Sequence, residues 1–445
     1  MMLWEPTYGS HEDNDMKNTS VNTEAAWKRL GDEVTRRGGN GDAFVAAMKD
    51  YYSIYTPDLL RWAGALFDYK IGGFYFSNSA RDVRVAEYRG KTYHFRPDVE
   101  STMQCINFLY AVGAVNSPED FPEWFRNKVR DFVSSLQDPE DGFIYHPQWE
   151  RESITPSRLA RDMNWAIGLA TKLGFSLPYP TAHDRIKAAA EKKEDEKESL
   201  IPENFRSREA FLEYISSLNW QGSGTTGAYG AGNRIAAESK LIEAAGLTDV
   251  AVEFLNSVQN PENGLWGDAE GYDGNNAFMK ISAFYDAVKR PIPNATKAIK
   301  NALSCLVTDE FARTSCYNFN VWYSILNVIA NLRRFGGEEG AREASAISDM
   351  LLLDAPKYLK GTKEKILTFR KPDGSFSCLT TSTTPISQGM PVAVEGTNEG
   401  DFNALALNSS GTFVRIYACL GLSDFFVPPF SENSLEIFLS AIKKN

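Results

Sequence analysis

The stretch FLNSVQNPENGLW, residues 254–266, decides the fold of this chain. It has the pattern of an apolar helix end, a turn rich in Asn and Pro, and then Gly264 and Trp266. Glycine permits the turn that ends a helix, where a β-carbon would often clash. We expect Trp266 to pack into the seam between neighbouring helix pairs and Gln259 to hydrogen-bond exposed backbone at the helix ends. These residues are therefore predicted to be structural.

The same order of residue types recurs along the chain. Three further stretches share it: DFVSSLQDPEDGFIY (131–145), KILTFRKPDGSFS (365–377) and WAGALFDYKIGGFYFS (62–77). The four glycines, at positions 73, 142, 264 and 374, are 69, 122 and 110 residues apart, about one, two and two units of roughly 60 residues. We assign the two degenerate copies that this period requires to LNWQGSGTTGAYG (218–230) and TSCYNFNVWYS (314–324).

A second, inner helix is predicted after each turn. Apolar residues recur at helical spacing in four such segments: 97–114, 158–174, 275–288 and 410–422. Strand signals are sparse, because long Val/Ile/Thr alternation is missing from the sequence. Paired helices without a sheet predict an all-α toroid or helical solenoid.

The spacing aromatic-Leu-x3-Gln-x4-Gly-x-Trp in residues 254–266 resembles the QW repeat of terpenoid cyclases and of the related β subunits of protein prenyltransferases. The resemblance covers roughly residues 45–440. It implies an (α/α)6 toroid, in which about six helical hairpins close around a central cavity. The starts of the inner helices, and the loops before them, would then border that cavity.

Composition narrows the class of protein. A net charge of −11 disfavours binding to nucleic acid and to anionic membranes. The five cysteines form no CxxC pair, which indicates a reducing compartment. The N-terminal residues lack the apolar segment of a secretory signal, and no apolar run of about 18 residues could span a membrane. We expect a soluble, cytoplasmic protein with a small-molecule substrate; the need for a second subunit stays open.

The repeat continues across every candidate domain boundary. We therefore predict one toroid domain over residues 23–445, preceded by a flexible leader at 1–22. A charge-dense insertion at about 184–200, which contains AAAEKKEDEKES, is predicted to be a solvated helix or loop.

The motif PDVEST, residues 97–102, opens one inner helix and is the first candidate for catalysis. The resemblance places it over the Asp-x-Asp-Asp-Thr motif of class II terpenoid cyclases, whose middle Asp protonates the substrate. Asp98 and Thr102 match that motif, whereas Glu100 replaces the middle Asp and Ser101 the last. A buried, protonated Glu100 could act as the general acid. The alternative is a helix cap, with Asp98 capping and Ser101 supporting it.

A second carboxylate set, Asp268, Glu270 and Asp273, precedes Asn275 and Asn276. Its oxygens could bind Mg²⁺, Ca²⁺ or sugar hydroxyls, with Asp268 and Asp273 as catalytic candidates. Ordinary turn chemistry is the alternative. Zinc is not expected, because the Asp, Cys and His ligand pattern of the prenyltransferase β subunits is missing.

Other polar and aromatic residues cluster in the loops and helix starts that face the predicted cavity. The substrate-binding candidates are Arg81, Asp82, His94, Arg161, Asp162, Trp165, Tyr229, Asn276, Tyr317, Trp322, Glu399 and Asp401.

Three functions are compatible with this pattern. The resemblance implies an isoprenoid cyclase or prenyltransferase-like enzyme, with a cavity lined by aromatic residues. A carbohydrate-active toroid enzyme (lyase, epimerase or hydrolase) would use paired carboxylates with Asn, Arg and Tyr. A non-catalytic toroid would bind a partner helix or peptide. An aromatic cavity wall favours the first, a polar wall the second and a filled cavity the third.

Overall fold

The computed structural model describes residues 21–185, 202–222, 224–430 and 433–444. These residues are mostly helical, which confirms the all-α prediction, and one hydrophobic core includes side chains from Trp27 to Ile442. The predicted leader lies outside the described residues except for its last two positions. The predicted charged insertion lies outside them from residue 186 onward.

The α-helices of the described part follow one another with few strands between them. They are Glu24–Arg36, Gly41–Tyr52, Pro57–Ala65, Asn78–Asp82, Val99–Ala111, Glu123–Leu136, Pro156–Leu173, Arg208–Ser217, Ala228–Ala237, Ser239–Ala244, Thr248–Val258, Gly271–Ala287, Ala295–Val307, Ser315–Phe335, Gly337–Leu353, Ala355–Leu367, Phe402–Asn408, Ser410–Cys419 and Ser434–Ser440. The strands form antiparallel pairs: Phe67–Asp68 with Gly73–Phe74, Val85–Tyr88 with Lys91–His94, and Ile386–Ser387 with Met390–Pro391.

The turn after residue 254 has the predicted geometry. Gly264 adopts φ +73°, and a β-carbon there would lie 2.6 Å from the Asn294 carbonyl oxygen. Gln259 Nε2 donates to the Gly264 carbonyl at 2.9 Å and to the Pro293 carbonyl at 2.9 Å, so one side chain ties the turn to the next segment. The fully buried Trp266 donates from its indole N–H to the Leu255 carbonyl at 2.9 Å.

The copy at 131–145 repeats this geometry. Gln137 Nε2 donates to the Gly142 carbonyl at 3.3 Å and to the Tyr179 carbonyl at 3.0 Å, as Gln259 does in its own turn. Gly142 adopts φ +78° and also faces backbone closely. The two copies therefore share their hydrogen bonds as well as their sequence pattern.

One degenerate copy is assigned wrongly by the sequence. Residues 314–324 form no turn, because Ser315–Phe335 is a single helix that begins at their start. The predicted inner helices at 158–174 and 275–288 are confirmed as Pro156–Leu173 and Gly271–Ala287.

The helices that follow the turns, which we call the inner helices, pack against one another. Gly271–Ala287 contacts Ala228–Ala237 before it and Ser315–Phe335 after it. Ser315–Phe335 in turn contacts Ser410–Cys419. These contacts join helices that are far apart in the chain.

The beginning and the end of the described chain also meet. The Phe402 amide donates to the Phe76 carbonyl at 3.2 Å. The inner helix Val99–Ala111 packs against both Phe402–Asn408 and Pro156–Leu173. The first inner helix therefore has an early and a late neighbour in the sequence.

Gly264→Ala should lower the free energy of unfolding by about 3 kcal/mol, because the methyl group meets backbone atoms and the φ angle is strained. Gly246→Ala is the matched control: Gly246 has φ +69° but nothing within 4 Å of a β-carbon. The control should lose only about 1 kcal/mol. Urea unfolding of both variants measures the difference, and equal losses would contradict the close approach at Gly264.

Candidate functional site

A fully buried arginine binds three carboxylates. The guanidinium of Arg158, which has no exposed surface, contacts Glu100 at 2.6 Å, Asp98 at 3.2 Å and Asp162 at 3.0 Å. Its central carbon lies 4.7 Å from the centroid of the Trp149 ring. We call Arg158 and the three carboxylates the arginine network. Removing one member of such a buried set leaves an uncompensated charge, so we infer that its members stabilise one another.

Asp98 is the N-cap of the Val99–Ala111 helix. Its side chain accepts a hydrogen bond of 2.8 Å from the Ser101 amide and one of 2.9 Å from the Ser101 hydroxyl. The Thr102 hydroxyl donates to the Asp98 carbonyl at 2.7 Å. A carboxylate in this position satisfies amides that the first helical turn leaves free. The helix-cap interpretation of PDVEST is therefore confirmed.

Glu100 has a pKa suited to a general acid, but its side chain is almost inaccessible to a substrate. Burial raises the pKa of Glu100 to about 7, although the positive charge of Arg158 opposes the shift. The same oxygen that binds Arg158 accepts a hydrogen bond of 2.6 Å from the Ser387 hydroxyl. Burial likewise raises the pKa of Asp162 to about 7. A general acid must also touch its substrate, and Glu100 is only 1% exposed.

One face of the inner helix Gly271–Ala287 keeps a small exposed surface. Residues spaced three or four apart on it keep a trace of exposure: Asn276 7%, Met279 8%, Lys280 7% and Ala283 6%. Their neighbours Phe278, Ile281 and Phe284 have none. The spacing is that of a single helix face, so the opposite faces pack in the core while this one stays slightly accessible. We call the surroundings of this face the interior.

Lys280 shares this interior with a second cation. Its Nζ lies 5.5 Å from the centroid of the Tyr229 ring. Burial, together with repulsion from the Arg161 guanidinium, lowers the pKa of Lys280 to about 8. Burial lowers the pKa of Arg161 as well, but a guanidinium remains charged at neutral pH. The interior therefore holds an amine that can lose its proton beside a permanent positive charge.

Two polar side chains of the Ser315–Phe335 helix face the same interior. The Cys316 thiol interacts electrostatically with Arg161 and with Tyr229. Asn320, one turn further along, donates to Asn276 Oδ1 at 2.9 Å. We call the following residues the interior cluster: Arg161, Tyr229, Asn276, Lys280, Cys316 and Asn320.

An aromatic surface adjoins the interior cluster. The rings of Phe319 and Tyr323 stack with centroids 5.6 Å apart. The guanidinium carbon of Arg415 lies 4.8 Å from the Phe319 centroid and 5.4 Å from the Tyr323 centroid. Met279 and Tyr229 pack against the same rings. Flat apolar faces beside cations and amides can stack on a sugar ring or stabilise a carbocation.

Several predicted substrate-binding residues lie in or beside the interior cluster: Arg161, Trp165, Tyr229, Asn276 and Tyr317. The guanidinium carbon of Arg161 is 5.6 Å from the Trp165 ring centroid. The Tyr317 hydroxyl contacts Asp273 Oδ1 at 3.3 Å, and Arg313 lies 3.5 Å from the same carboxylate. Of the predicted catalytic carboxylates, only Asp273 lies near the cluster, and these two side chains bind it.

Other predicted catalytic and substrate-binding residues lie outside the interior cluster. Asp268 is exposed, and Arg81 pairs with its neighbour Asp82 at 2.7 Å near the surface. Trp322 lies in the core, where its indole N–H donates to the Thr362 hydroxyl at 3.0 Å. Asp162 belongs to the arginine network. These positions are set by packing and pairing, which residue type alone does not reveal.

Two histidines, His94 and His146, lie apart from the interior cluster. His94 is exposed at the end of the Lys91–His94 strand. His146 is buried 3.5 Å from Asp162, and burial holds its pKa well below its usual range. A neutral, enclosed imidazole beside the arginine network is suited to support rather than to proton transfer with a substrate.

Glu399 and Asp401 tie loops together. Glu399 accepts a hydrogen bond of 2.7 Å from the Ser79 amide. Asp401 caps the helix after it by accepting 2.7 Å from the Ala404 amide, and it also accepts 2.7 Å from the Thr383 hydroxyl. Burial raises the pKa of Asp401 to about 7. Both carboxylates are buried and contribute to the structure of this end of the helices.

The carboxylates proposed for Mg²⁺ or Ca²⁺ do not converge. Asp268 is exposed, Glu270 contacts the Asn263 amide at 3.3 Å, and Asp273 pairs with Arg313. Among the described residues, no group of three or more His, Cys, Asp or Glu side chains is arranged to hold a metal ion. The metal-site hypothesis for this segment is therefore wrong.

Sequence reasoning missed Arg158, Lys280, Cys316 and Arg415. For Lys280 and Arg415 the sequence does contain a signal, which is a single cation inside an apolar helical run. Lys280 stands in AFMKISAF and Arg415 in TFVRIYAC. A lone charge among core residues must find a partner, a ligand or an aromatic face.

A surface cleft of about 440 Å³ lies elsewhere, between Ala295–Val307 and Ala355–Leu367. Its charged residues, including Lys360 and Glu364, are exposed. Exposed charges are screened by water and rarely acquire the shifted pKa values that catalysis needs. We therefore regard the interior cluster as the candidate site.

Comparisons with known proteins assign no family: the chain matches no family model, and no curated protein matches it. Within the described ranges, no helix combines the length and the apolar character needed to cross a membrane. The function is therefore argued from the side chains of the site.

The difference in free energy of unfolding between Glu100→Gln and wild type should shift in favour of the variant between pH 5 and pH 8. The pKa of Glu100 is about 7 in the folded state, above its ordinary value of 4.5, so its stabilising contribution is lost as pH rises through about 7. Glutamine has no proton to lose, and the difference in unfolding free energy should grow by about 2 kcal/mol over this range.

Chemical denaturation at both pH values measures this difference. The exposed Glu243→Gln is the control and should show no comparable trend. A difference between Glu100→Gln and wild type that does not change with pH would contradict the raised pKa.

Proposed function

We propose that the interior cluster is the active site of a carbohydrate-active enzyme that removes a proton beside the carboxylate of an acidic sugar, as a lyase or an epimerase. The observation that carries the proposal is Lys280: a nearly buried amine with its pKa lowered to about 8, facing Tyr229 and close to Arg161. Enzymes that abstract protons at neutral pH need a base with a pKa near the working pH.

The architecture in this proposal is a closed ring of inner helices, the (α/α)6 toroid. Two observations support closure. Neighbouring inner helices from Ala228–Ala237 to Ser410–Cys419 are in contact, and Val99–Ala111 packs against Phe402–Asn408 across the two ends of the chain. Arg161, from Pro156–Leu173, is close enough to Lys280 to contribute to lowering its pKa. In such a ring the interior cluster lies at the centre, where a small substrate would be enclosed.

Positive charge and amides favour an acidic sugar. The guanidinium of Arg161 would bind a carboxylate through paired N–H donors, which are matched to that group in geometry and charge. Asn276 and Asn320 offer side-chain groups for hydroxyls, and Phe319 offers a flat face for the sugar ring. These groups suit a uronic acid better than a neutral hydrocarbon.

The proposed chemistry begins with neutral Lys280 taking the proton from the carbon beside the uronate carboxylate. Arg161 stabilises the negative charge that develops on the carboxylate oxygens. Burial raises the pKa of Tyr229, so its hydroxyl stays protonated and can donate that proton to the departing glycosidic oxygen. In a lyase this elimination leaves a carbon–carbon double bond; in an epimerase a proton returns on the opposite face.

The arrangement disfavours hydrolysis by paired carboxylates. That mechanism needs two carboxyl groups flanking the bond to be cleaved. Asp98, Glu100 and Asp162 are instead held by Arg158 and are each 1% exposed. Among the carbohydrate-active reactions, proton abstraction by Lys280 therefore has the stronger support.

Lys280→Met should reduce turnover of a uronate-containing oligosaccharide by about 100-fold or more, because the base is removed. Wild-type activity should rise with pH through about 8, since only the neutral amine accepts a proton and its fraction grows as pH passes its pKa. The ultraviolet absorbance of an unsaturated product, or proton exchange with deuterated water for an epimerase, follows the reaction.

Lys300→Met, at an exposed lysine on the Ala295–Val307 helix, is the matched control and should keep wild-type turnover. Undiminished activity of Lys280→Met would exclude Lys280 as the base. Inactivity of the wild type towards acidic oligosaccharides, with saturable binding of a peptide to the same interior, would favour a non-catalytic binding toroid.

Acid-initiated isoprenoid cyclisation is the second candidate. The aromatic surface of Phe319 and Tyr323 favours it, because ring faces stabilise carbocations. In this reaction Glu100, with its raised pKa, would be the acid once the loop carrying Ser387 moved away. Cyclisation of a linear polyprenyl substrate that Glu100→Gln abolishes would support this candidate; turnover retained near wild type would eliminate the acid.

The proposal places the protein in the cytoplasm. All five cysteines are free thiols, as expected in a reducing compartment. A small acidic sugar or oligosaccharide is the proposed substrate, with no nucleic-acid partner.

A further inference from the structure

We propose that Cys316 and Cys378 are a redox-active thiol pair in the wall of the interior, which peroxide converts into a disulfide. The pair joins the first turn of the inner helix Ser315–Phe335 to the segment before the Ile386–Ser387 strand. The formation of this bond does not depend on the proposed reaction, although its effect on the interior cluster does.

The backbone holds the two segments together. The Ser315 amide donates to the Cys378 carbonyl at 2.9 Å, so the residue next to Cys316 is bonded directly to Cys378. Each thiol also shifts the pKa of the other, as expected for neighbouring side chains. A disulfide needs two cysteines on backbone segments that are close together, and this backbone bond provides that proximity.

Exposure separates this pair from the other cysteines. Cys316 and Cys378 are half-buried, whereas Cys105, Cys305 and Cys419 are buried. Burial raises the pKa of each of those three thiols, which makes them inert. The two cysteines that keep some exposure are thus the two on segments that are bonded to each other.

Cys316 is placed to react first. It is the second residue of its helix, where backbone amides stabilise a thiolate, and the Arg161 guanidinium lies nearby. The neighbouring Cys378 thiol lowers the pKa of Cys316. Cys378 is then the resolving thiol.

The reaction balances with peroxide as the two-electron oxidant. The Cys316 thiolate attacks one peroxide oxygen, the O–O bond breaks, and the products are a sulfenic acid and, after protonation, one water. Cys378 sulfur then attacks the sulfenic sulfur, an S–S bond forms, and the hydroxyl leaves as a second water with the Cys378 proton. Each cysteine sulfur loses one electron overall, and the peroxide is reduced to water.

The disulfide would alter the interior cluster, which it adjoins. It removes the thiol of Cys316, which contributes to the pKa shifts of Arg161 and Tyr229. It also fixes the segment around Cys378, whose amide already donates to the Asp401 cap at 3.2 Å. We expect oxidation to stiffen this wall and to alter substrate access, reversibly on reduction.

Peptide mapping of the full-length protein tests the pair. The protein is treated with hydrogen peroxide, alkylated without reduction and digested. We expect the loss of two of the five alkylatable thiols, a linked peptide containing Cys316 and Cys378, and full recovery after dithiothreitol. Alkylation of both cysteines unchanged by peroxide, or their linkage to other cysteines, would overturn the proposal.

Single variants assign the order of events. In Cys378→Ser, Cys316 should accumulate as a sulfenic acid that dimedone traps; in Cys316→Ser, Cys378 should stay unmodified. Trapping of Cys378 rather than Cys316 would reverse the assigned roles and overturn that part. If either variant fails to fold by circular dichroism, the wild-type peptide map alone decides whether the disulfide forms.

Discussion

The buried guanidinium of Arg158 is the interaction on which the candidate site depends. It binds carboxylates from two inner helices, and no part of it is exposed to water. Desolvating such charges costs several kcal/mol per ion, so the arrangement is favourable only when all partners are in place. Arg161 and Trp165 share one face of the Pro156–Leu173 helix with Arg158, because helix positions three and four apart lie on the same face. The Trp165 ring centroid lies 5.6 Å from the guanidinium carbons of both arginines, so the arginine network adjoins the interior cluster.

The arginine network and the interior cluster therefore have different roles. The arginine network is enclosed, and its raised pKa values reflect burial of carboxylates in a structural role. The interior cluster, in contrast, keeps exposure along one face of Gly271–Ala287. An accessible base with a lowered pKa is better suited to catalysis than an acid that a substrate cannot contact. This difference in access is why Lys280, rather than Glu100, carries the proposed function.

The sequence predicts the helical scaffold better than the site. Periodicity and the Gln–Gly–Trp spacing identify the helices and the turn at Gly264, because both are local. The network around Arg158 joins residues such as Glu100 and Ser387, which are far apart in the chain, and no local pattern encodes their proximity. The sequence predicts too many acidic site residues, because an exposed loop carboxylate and a buried carboxylate cannot be distinguished from sequence alone. Lone cations in apolar helices were undervalued, although burying them is costly.

The central claim is that Arg161 and Lys280 receive the carboxylate-bearing sugar inside the ring of helices. A crystal structure of the Lys280→Met protein with an acidic oligosaccharide tests it most directly, since the intact substrate persists without the base. The account predicts the uronate carboxylate on Arg161, with its neighbouring carbon facing position 280. A sugar bound on the outer surface, or an interior sealed against any ligand, would contradict it.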